Sequence, residues 1–438
     1  MIPILKVSDF QQKEVQELIF RRNLENKEAN LTVEGILEDV RRSGDEALIK
    51  YTQRFDKAKL SRSDLAVKRE ETEEAFQKVS KEFIDAIELA KERIFYYHQK
   101  QKRRRLTFAR RGGIMLEVTR PLERVGAYVP GGRASYPTSV LMNVIPAQVA
   151  GVTEVALCVP PSPDGKVNAA TLVAASMVGA SEIYKVGGAQ AIAALAYGTE
   201  TIKRVDKITG PGNIYVTLAK KQVLGEVGID MLAGPSEVVI LADEFANPAF
   251  IGADMLAQAE HDPLATALLI TTSSQLAEAV KAELKKQLSS LKRKDIAGES
   301  LKNKGKILIC DTLDVALELA NLIAPEHLEI MARKAGSARE VAEKVRNAGA
   351  IFLGDWTPEV LGDYVAGPNH ILPTEGTARF SSPLGVEDFL KRSHVIFYSK
   401  KDLEKVAEAV SVLAETEGLE AHGKSCEIRL EDRGDEEK

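Results

Sequence analysis

The fold is decided by an alternation that begins at Val155-Ala156-Leu157-Cys158-Val159, a short apolar run with valine at both ends. An alanine-rich helical pattern follows at 168–178, and Glu182-Ile183-Tyr184-Lys185-Val186 is the next strand-like run. Strands buried in parallel sheets have nearly continuous apolar sequences, and helices connect one such strand to the next. The stretch 155–186 therefore predicts a strand, a crossover helix and a second, parallel strand.

The same alternation continues on both sides of this stretch. Further predicted strands are 114–118, 125–129, 203–209, 238–242, 265–271, 306–310, 328–331 and 350–353. Further predicted helices are 189–197, 213–224, 248–260, 274–288, 313–323 and 337–346, and residues 10–105 are mostly helical in pattern. From residue 375 the alternation stops, leaving a strand-like segment at 393–399, one amphipathic helix at 402–415 and a charged tail at 429–438 that we expect to be disordered.

Composition excludes several classes of protein. A chain of 438 residues with 44% hydrophobic content is long enough for two or more packed domains. Its net charge of -5 provides no general attraction to nucleic acid, and we interpret the basic run Lys100–Arg111 as a solvated helix end or a subunit contact. Without a signal sequence or a long uncharged apolar run, a cytoplasmic protein is expected, with no membrane partner.

The three cysteines indicate a reducing compartment, because they are too few and too scattered for a disulfide framework. Cys158 and Cys310 fall within apolar strand-like runs, where a thiol behaves as a small hydrophobic group.

Two pairs of residues suggest a metal or acid–base site. Gln258 and His261 are three apart near the end of a predicted helix, so an amide oxygen and an imidazole share one helix face and can bind one metal ion. Glu326-His327 is a second pair, and Asp363 and His422 add two ligand types suited to zinc. A single Gln-x-x-His motif occurs often by chance. The helix that carries Gln258 and His261 is expected to end beside a strand, where clefts of open α/β sheets form.

Three glycine-containing loops, 127–133, 186–190 and 208–213, each follow a predicted strand and lead toward a helix. Their backbone amides are placed to bind a pyrophosphate at a helix N-terminus. The nearest match to the dinucleotide fingerprint, Gly210-Pro211-Gly212-Asn213-Ile214-Tyr215, has tyrosine at the third glycine position and is weak. Tight turns between strands and helices need glycine in any case.

From the residues alone, a dehydrogenase and a zinc hydrolase rank nearly level, since both would use a metal and the adjacent Glu326-His327 pair. The glycine loops favour the dehydrogenase, because a hydrolase has no use for them. A nucleotide-binding module without catalysis would leave Glu326-His327 unexplained. Within the dehydrogenase hypothesis, a cysteine thiohemiacetal route is disfavoured, because reactive thiols need exposure and positive surroundings.

Eight sequence blocks in a fixed order closely resemble the histidinol dehydrogenase family, from about Val7 to His422. The blocks are those around Tyr128, Gln190, Asn213, Ser236, Gln258 with His261, Glu326 with His327, Asp363 with His370, and Glu417 with His422. The resemblance implies oxidation of L-histidinol through L-histidinaldehyde to L-histidine with two NAD, the last two steps of L-histidine biosynthesis. It also implies one Zn2+ per subunit and a homodimer in which the C-terminal segment completes the partner's site.

Position by position, the resemblance assigns a role to each of these residues. It implies zinc ligands Gln258, His261, Asp363 and His422; NAD contacts Tyr128, Gln190 and Asn213; and a substrate site of Ser236, His327, His370 and Glu417 together with the four zinc ligands. The chemistry then suggests His327 as the general base for the hydroxyl proton and Glu326 as the group that activates water for the second oxidation. The metal identity, zinc or manganese, stays open.

The expected fold is α/β, with two Rossmann-like parallel-sheet domains, crossover helices, and small N- and C-terminal helical or extended segments. The predicted boundaries are 1–25 for the N-terminal extension, 26–127 with 235–380 for the first domain, 128–234 for the second and 381–438 for the C-terminal extension. The first domain would hold the catalytic and zinc residues, and the second the NAD-contacting loops.

Overall fold

The computed structural model describes residues 2–20, 26–102, 113–131, 135–180, 182–333 and 338–431, and the backbone of 107–109. The strands are β1 Ile4–Lys6, β2 Thr107–Ala109, β3 Ile114–Pro121, β4 Arg124–Tyr128, β5 Glu154–Cys158, β6 Glu182–Tyr184, β7 Lys207–Thr209, β8 Gly228–Ile229, β9 Glu237–Ala242, β10 Thr266–Thr271, β11 Lys306–Ile309, β12 His327–Met331, β13 Ala350–Leu353 and β14 Leu390–Phe397.

The helices are α1 Lys13–Ile19, α2 Lys27–Phe55, α3 Arg69–Phe76, α4 Lys81–Gln99, α5 Pro137–Ala150, α6 Ala169–Met177, α7 Gly188–Tyr197, α8 Ile214–Val223, α9 Pro248–Ala259, α10 Ser274–Leu288, α11 Lys294–Asn303, α12 Leu313–Ile323, α13 Ala338–Ala342, α14 Val360–Tyr364, α15 Lys400–Glu404, α16 Ala407–Thr416 and α17 Glu420–Glu431. Among the described residues, no helix has the length and apolar composition needed to cross a membrane.

The chain forms two compact units. The first contains Met1–Gln101 and Leu122–Phe389, and the second contains Lys102–Pro121 and Leu390–Lys438. Both parallel sheets belong to the first unit.

The larger sheet has six parallel strands in the order β1-β11-β10-β9-β12-β13. Strands β9 and β10 are buried along their whole length. In β9, Val238 and Ile240 face a core that includes residues of α9, α10 and α11, whereas Val239 and Leu241 face a core with residues of α1 and α12. Alternate side chains of a strand point to opposite faces, so helices cover the sheet on both sides.

The smaller sheet has five parallel strands in the order β6-β5-β4-β7-β8. Helices α2, α7 and α8 pack together in one core cluster with residues of this sheet, and α5 contacts β4 and β5. In the five-stranded sheet, and in the six-stranded sheet from β9 onward, the chain starts in the middle, moves outward on one side and then crosses to the other, which is the Rossmann strand order. Strand β1 is added at the edge of the larger sheet. The predicted α/β class with two Rossmann-like sheets is confirmed.

The second unit is built on an antiparallel sheet in the order β14-β3-β2. Helices α15, α16 and α17 pack against one another in this unit. One helix was predicted at 402–415, but α15 ends at Glu404 and α16 begins at Ala407. Disorder from Arg429 was also predicted, yet α17 continues to Glu431, and residues 432–438 lie outside the described part of the chain. Residues 103–106, 110 and 111 of the basic run 100–111 also lie outside it.

Several segments are placed differently from the expected domain boundaries. Strand β1, in the expected N-terminal extension, pairs with β11 as an edge strand of the six-stranded sheet. Helix α2 and strand β4, expected in the first domain, belong to the core and sheet of the five-stranded layer. A helical pattern specifies which face is apolar, but it does not specify which of two similar sheets the face will cover.

Candidate active site

The pair Glu326-His327 lies where two central strands begin. His327 is the first residue of β12 and is aligned with Val238 of the neighbouring strand β9. The Glu237 backbone N–H donates to Glu326 Oε2 at 2.8 Å, and the Glu326 backbone N–H donates to Glu237 Oε1 at 3.1 Å. Each glutamate therefore fixes the backbone of the other across the strand pair.

The imidazole of His327 has a defined hydrogen-bonding state. Its Nδ1 lies 3.1 Å from the Glu237 carbonyl oxygen, and a carbonyl can only accept. Nδ1 must then hold the proton and donate it, which leaves Nε2 of the neutral ring as a free base. The ring is buried and lies 5.9 Å from the Phe352 ring, centroid to centroid.

The charges around His327 show which predicted residues come together. Burial lowers the pKa of His327; Asp363 and the hydrogen bond to Glu237 oppose this, while His261 and His370 lower the pKa further. Burial also raises the pKa of Glu326 well above its usual value, and the charges of Glu237 and Asp363 add to that effect. The structure thus brings together His327, His261, Asp363 and His370, from three separate segments of the chain, so that their charges affect one another.

Helix α9 presents Gln258 from its last turn, and His261 follows just beyond the helix. Asn247 caps the helix by accepting from the Ala249 N–H at 2.9 Å, as its sequence predicted. Gln258 is only 1% exposed, and its Oε1 has no hydrogen-bond partner among the described residues. An unpaired buried amide oxygen is costly unless something else binds it.

The donor set fits a metal ion of mixed nitrogen and oxygen ligands. The Gln258 oxygen, the His261 imidazole and the Asp363 carboxylate are all suitable donors for zinc. Within the described ranges, no group of three or more His, Cys, Asp or Glu side chains is arranged to hold a metal. Of the expected ligands, only His261 and Asp363 in the first unit are of those types, because Gln258 is an amide and His422 lies in the second unit.

Asp363 and His370 are held together at the end of α14. His370 Nδ1 donates to the Asp363 carbonyl oxygen at 2.9 Å, and its Nε2 lies 3.1 Å from Ser139 Oγ in the first turn of α5. The preceding Asn369 donates to the Met142 carbonyl oxygen at 2.7 Å, also in α5. Because α5 follows β4 of the five-stranded sheet, these contacts tie the segment that carries Asp363 and His370 to the other Rossmann-like layer.

A cluster of three buried carboxylates, one of them beside His327, was not predicted. Glu359 Oε2 is 3.4 Å from His327 Nδ1, and the Glu359 backbone N–H donates to Glu329 Oε1 at 2.7 Å. Asp254, on α9, shares a hydrogen bond with Glu329, and burial raises the pKa of all three groups. The signal available in sequence was an acidic residue two positions after His327 in an apolar strand, and another four before Gln258.

The site around His327 lies at the edge of the six-stranded sheet where ligands do not usually bind. Ser236 precedes β9, His327 starts β12, and His261 lies in the turn that leads into β10, so all are at the amino ends of the strands. Ligands of open α/β sheets normally bind outside the carboxyl ends. These residues therefore lie at the opposite edge of the six-stranded sheet.

The expected cofactor residues lie at the carboxyl edge of the five-stranded sheet, as that rule predicts. Tyr128 ends β4, is buried, and its hydroxyl oxygen accepts from the Gly188 N–H at 3.2 Å. Gln190, in the first turn of α7, is 1% exposed, and neither polar atom of its amide has a hydrogen-bond partner among the described residues. Asn213 caps α8 by accepting from the N–H groups of Tyr215 and Val216. A dinucleotide fits here because it would supply partners for the Gln190 amide.

The remaining predicted residues and the cysteines lie elsewhere. Glu417 and His422 belong to the second unit, at exposed positions at the end of α16 and in α17. Cys158 and Cys310 are buried, and burial raises the pKa of each thiol to about 12. A thiol with that pKa is almost entirely protonated at neutral pH, which weakens the thiohemiacetal route.

The two Rossmann-like sheets and the buried imidazole beside a carboxylate fit the α/β oxidoreductase class. The family profile of histidinol dehydrogenase matches residues 19–430. Histidinol dehydrogenase from Clostridium acetobutylicum is 51% identical over 96% of each chain, and that from Thermosynechococcus vestitus is 54% identical over 93% of this chain and 94% of its own. The crystal structure of the Elizabethkingia anophelis enzyme superimposes with a TM-score of 0.92, at 38% identity and 98% coverage of both chains. The chain belongs to the histidinol dehydrogenase family.

Proposed function

We propose that this enzyme oxidises L-histidinol to L-histidine in two steps through L-histidinaldehyde, using two NAD and one Zn2+ per subunit. The observation that supports this most strongly is the state of His327, whose Nδ1–H is held by the Glu237 carbonyl so that Nε2 is available as a base. A base of this kind beside a carboxylate suits the removal of a hydroxyl proton followed by the addition of water.

Gln258, His261 and Asp363 would hold the metal, with His422 as the fourth ligand, and Tyr128, Gln190 and Asn213 would contact NAD. When bound, zinc would orient the imidazole and amine of the substrate, and NAD would supply the acceptor for the hydride lost from the reacting carbon in each step. Ser236, His370 and Glu417 complete the proposed substrate site. Because Glu417 and His422 are exposed residues of the second unit, we propose that a second copy of the chain supplies them in a homodimer.

His327 Nε2 removes the hydroxyl proton in the first step. The hydrogen bond from Nδ1 to Glu237 strengthens when the ring becomes positively charged, and Glu359, at 3.4 Å, lies on the same side of the ring. Burial keeps the ring neutral before the reaction, because it lowers the pKa of His327. When water adds to the aldehyde, the protonated His327 returns this proton to the carbonyl oxygen, and the neutral ring then removes a proton from the hydrate in the second step.

Glu326 acts between the two steps by taking a proton from the water that adds to the aldehyde. The Glu237 N–H holds Oε2, so Oε1 is the oxygen we assign to the water. Burial raises the pKa of Glu326, and a carboxylate with a raised pKa is a stronger base than an exposed one.

The test separates the two oxidations. In Glu326→Gln, the substituted amide cannot take up the proton from water, so NADH formation from histidinaldehyde should fall by about 100-fold or more, while one turnover from histidinol is largely retained. Equal loss of both steps would contradict the assignment. A zinc hydrolase would form no NADH from histidinol and NAD at all.

A further inference from the structure

A buried ion pair lies beside the glycine loop that precedes α8. Lys220 and Asp230 are paired with side chains 2% and 0% exposed. Lys220 Nζ also donates to the Gly210 carbonyl oxygen at 2.9 Å, and Asp230 Oδ2 accepts from the Gly210 N–H at 2.8 Å. The two charged groups therefore bind both polar atoms of the same glycine residue.

The backbone conformation and the position of Gly210 are both tightly constrained. Its φ of 107° is in the left-handed region that favours glycine, and a Cβ on it would be 2.0 Å from the Tyr128 carbonyl oxygen. The loop backbone thus runs directly against the end of β4. Since Asn213 follows three residues later, the placement of Gly210 sets where Asn213 lies relative to Tyr128.

Among the described residues, the Lys220–Asp230 ion pair makes no direct contact with Glu326 or His327. The ion pair also contributes little to the stability of the fold. Removing two charges from water costs about as much as their mutual attraction returns, so a buried pair contributes little net free energy. Instead, the pair fixes the position of one residue, because both partners make charge-assisted hydrogen bonds to Gly210.

We propose that Lys220 and Asp230 are positioning residues for the dinucleotide, which act by holding the Gly210–Asn213 loop against Tyr128. The inference rests on the proposed function, in which this loop contacts NAD. Neither residue touches the cofactor in this proposal. Their loss should weaken cofactor binding and leave the histidinol site intact.

The decisive variant is the double substitution Lys220→Met with Asp230→Asn, which removes both charges and keeps similar shapes. The amide introduced in place of Asp230 would still offer an oxygen to the Gly210 N–H, but the bond to the Gly210 carbonyl is lost. We expect the dissociation constant for NAD, measured by calorimetry, and KM for NAD to rise about 10-fold. KM for histidinol should change less than about twofold. If the double variant does not fold, Lys220→Met alone, which leaves Asp230 with the Gly210 and Met231 N–H groups as donors, should raise KM for NAD by about threefold.

Arg124→Met is the matched control. Arg124 is mostly buried and pairs with Glu154 and Glu182 at the amino edge of the same sheet, away from the loop. It should lower the unfolding temperature without weakening NAD binding. Unchanged NAD affinity in the Lys220/Asp230 variant, or equal changes in both Michaelis constants, would overturn the inference. Asn213→Ala distinguishes failure of this inference from failure of the proposed function. If Asn213→Ala leaves the affinity for NAD unaltered as well, the assignment of this loop to the cofactor fails.

Discussion

Replacing His327 with asparagine tests the assigned state of the imidazole. The N–H of the introduced amide can take the place of Nδ1, which lies 3.1 Å from the Glu237 carbonyl oxygen, and can donate to that oxygen, but no group replaces Nε2. General-base catalysis contributes about 10²- to 10⁴-fold, which corresponds to about 2.7–5.4 kcal/mol of transition-state stabilisation. We therefore expect His327→Asn to lower kcat by that factor for both histidinol and histidinaldehyde, measured by NADH absorbance.

His327→Gln is the matched variant, because its amide extends toward the position of Nε2 and no longer reaches the Glu237 carbonyl. It should be as inactive as the asparagine variant but less stable by about 1–3 kcal/mol in urea unfolding, since it leaves a buried acceptor unpaired. Zinc content should stay at the wild-type level in both variants, because His327 is not a proposed ligand. Activity above about one tenth of wild type, metal loss, or equal stability of the two variants would refute the assignment.

Three further changes test the proposed metal site, the role of the cysteines and the effect of a buried histidine on stability. His261→Asn should lower zinc occupancy and activity together, by at least about 10-fold, and elemental analysis of the purified protein decides this. Substituting Cys158, Cys310 and Cys426 together by alanine should leave NADH formation from histidinaldehyde largely intact, whereas loss of that step would favour a thiol mechanism. Burial lowers the pKa of His98, so the unfolded chain binds a proton near pH 6.5 that the folded protein does not; stability should be complete above pH 6.5 and fall as the pH drops below it. His98→Gln should make this dependence less steep in urea unfolding between pH 5 and 7.5, and His327 and His370, whose pKa values burial also lowers, should account for part of the slope that is left.

The strands, and the position of the Glu326-His327 pair at the start of one of them, were predictable because their signals are local. Apolar runs such as 238–242 correspond closely to buried strands, and the Asn247-Pro248 start of α9 was recognisable from capping chemistry. Strand ends were less well predicted: β7 begins at Lys207 rather than at residue 203. Periodicity reports burial, whereas the end of a strand depends on which neighbour is available to pair with it.

The rest of the site depends on tertiary contacts that no local pattern specifies. Glu359 and Asp254 have the sequence features of ordinary surface carboxylates, and only the packing of α9 and the segment before α14 against β12 buries them next to Glu329. The location of the site at the amino edge of the six-stranded sheet could not be predicted from the sequence either. It follows from the lengths and directions of several loops together, and the general rule for such sheets indicates the other edge.

The most direct test of the account is the stoichiometry of the complete reaction. L-histidinol in limiting amount is converted by the zinc-loaded enzyme with excess NAD, and the NADH formed is compared with the histidinol consumed. A four-electron oxidation at one site, with His327 acting twice and Glu326 adding water between the steps, predicts a ratio of about two. A ratio of one, with histidinaldehyde as the end product, would contradict it.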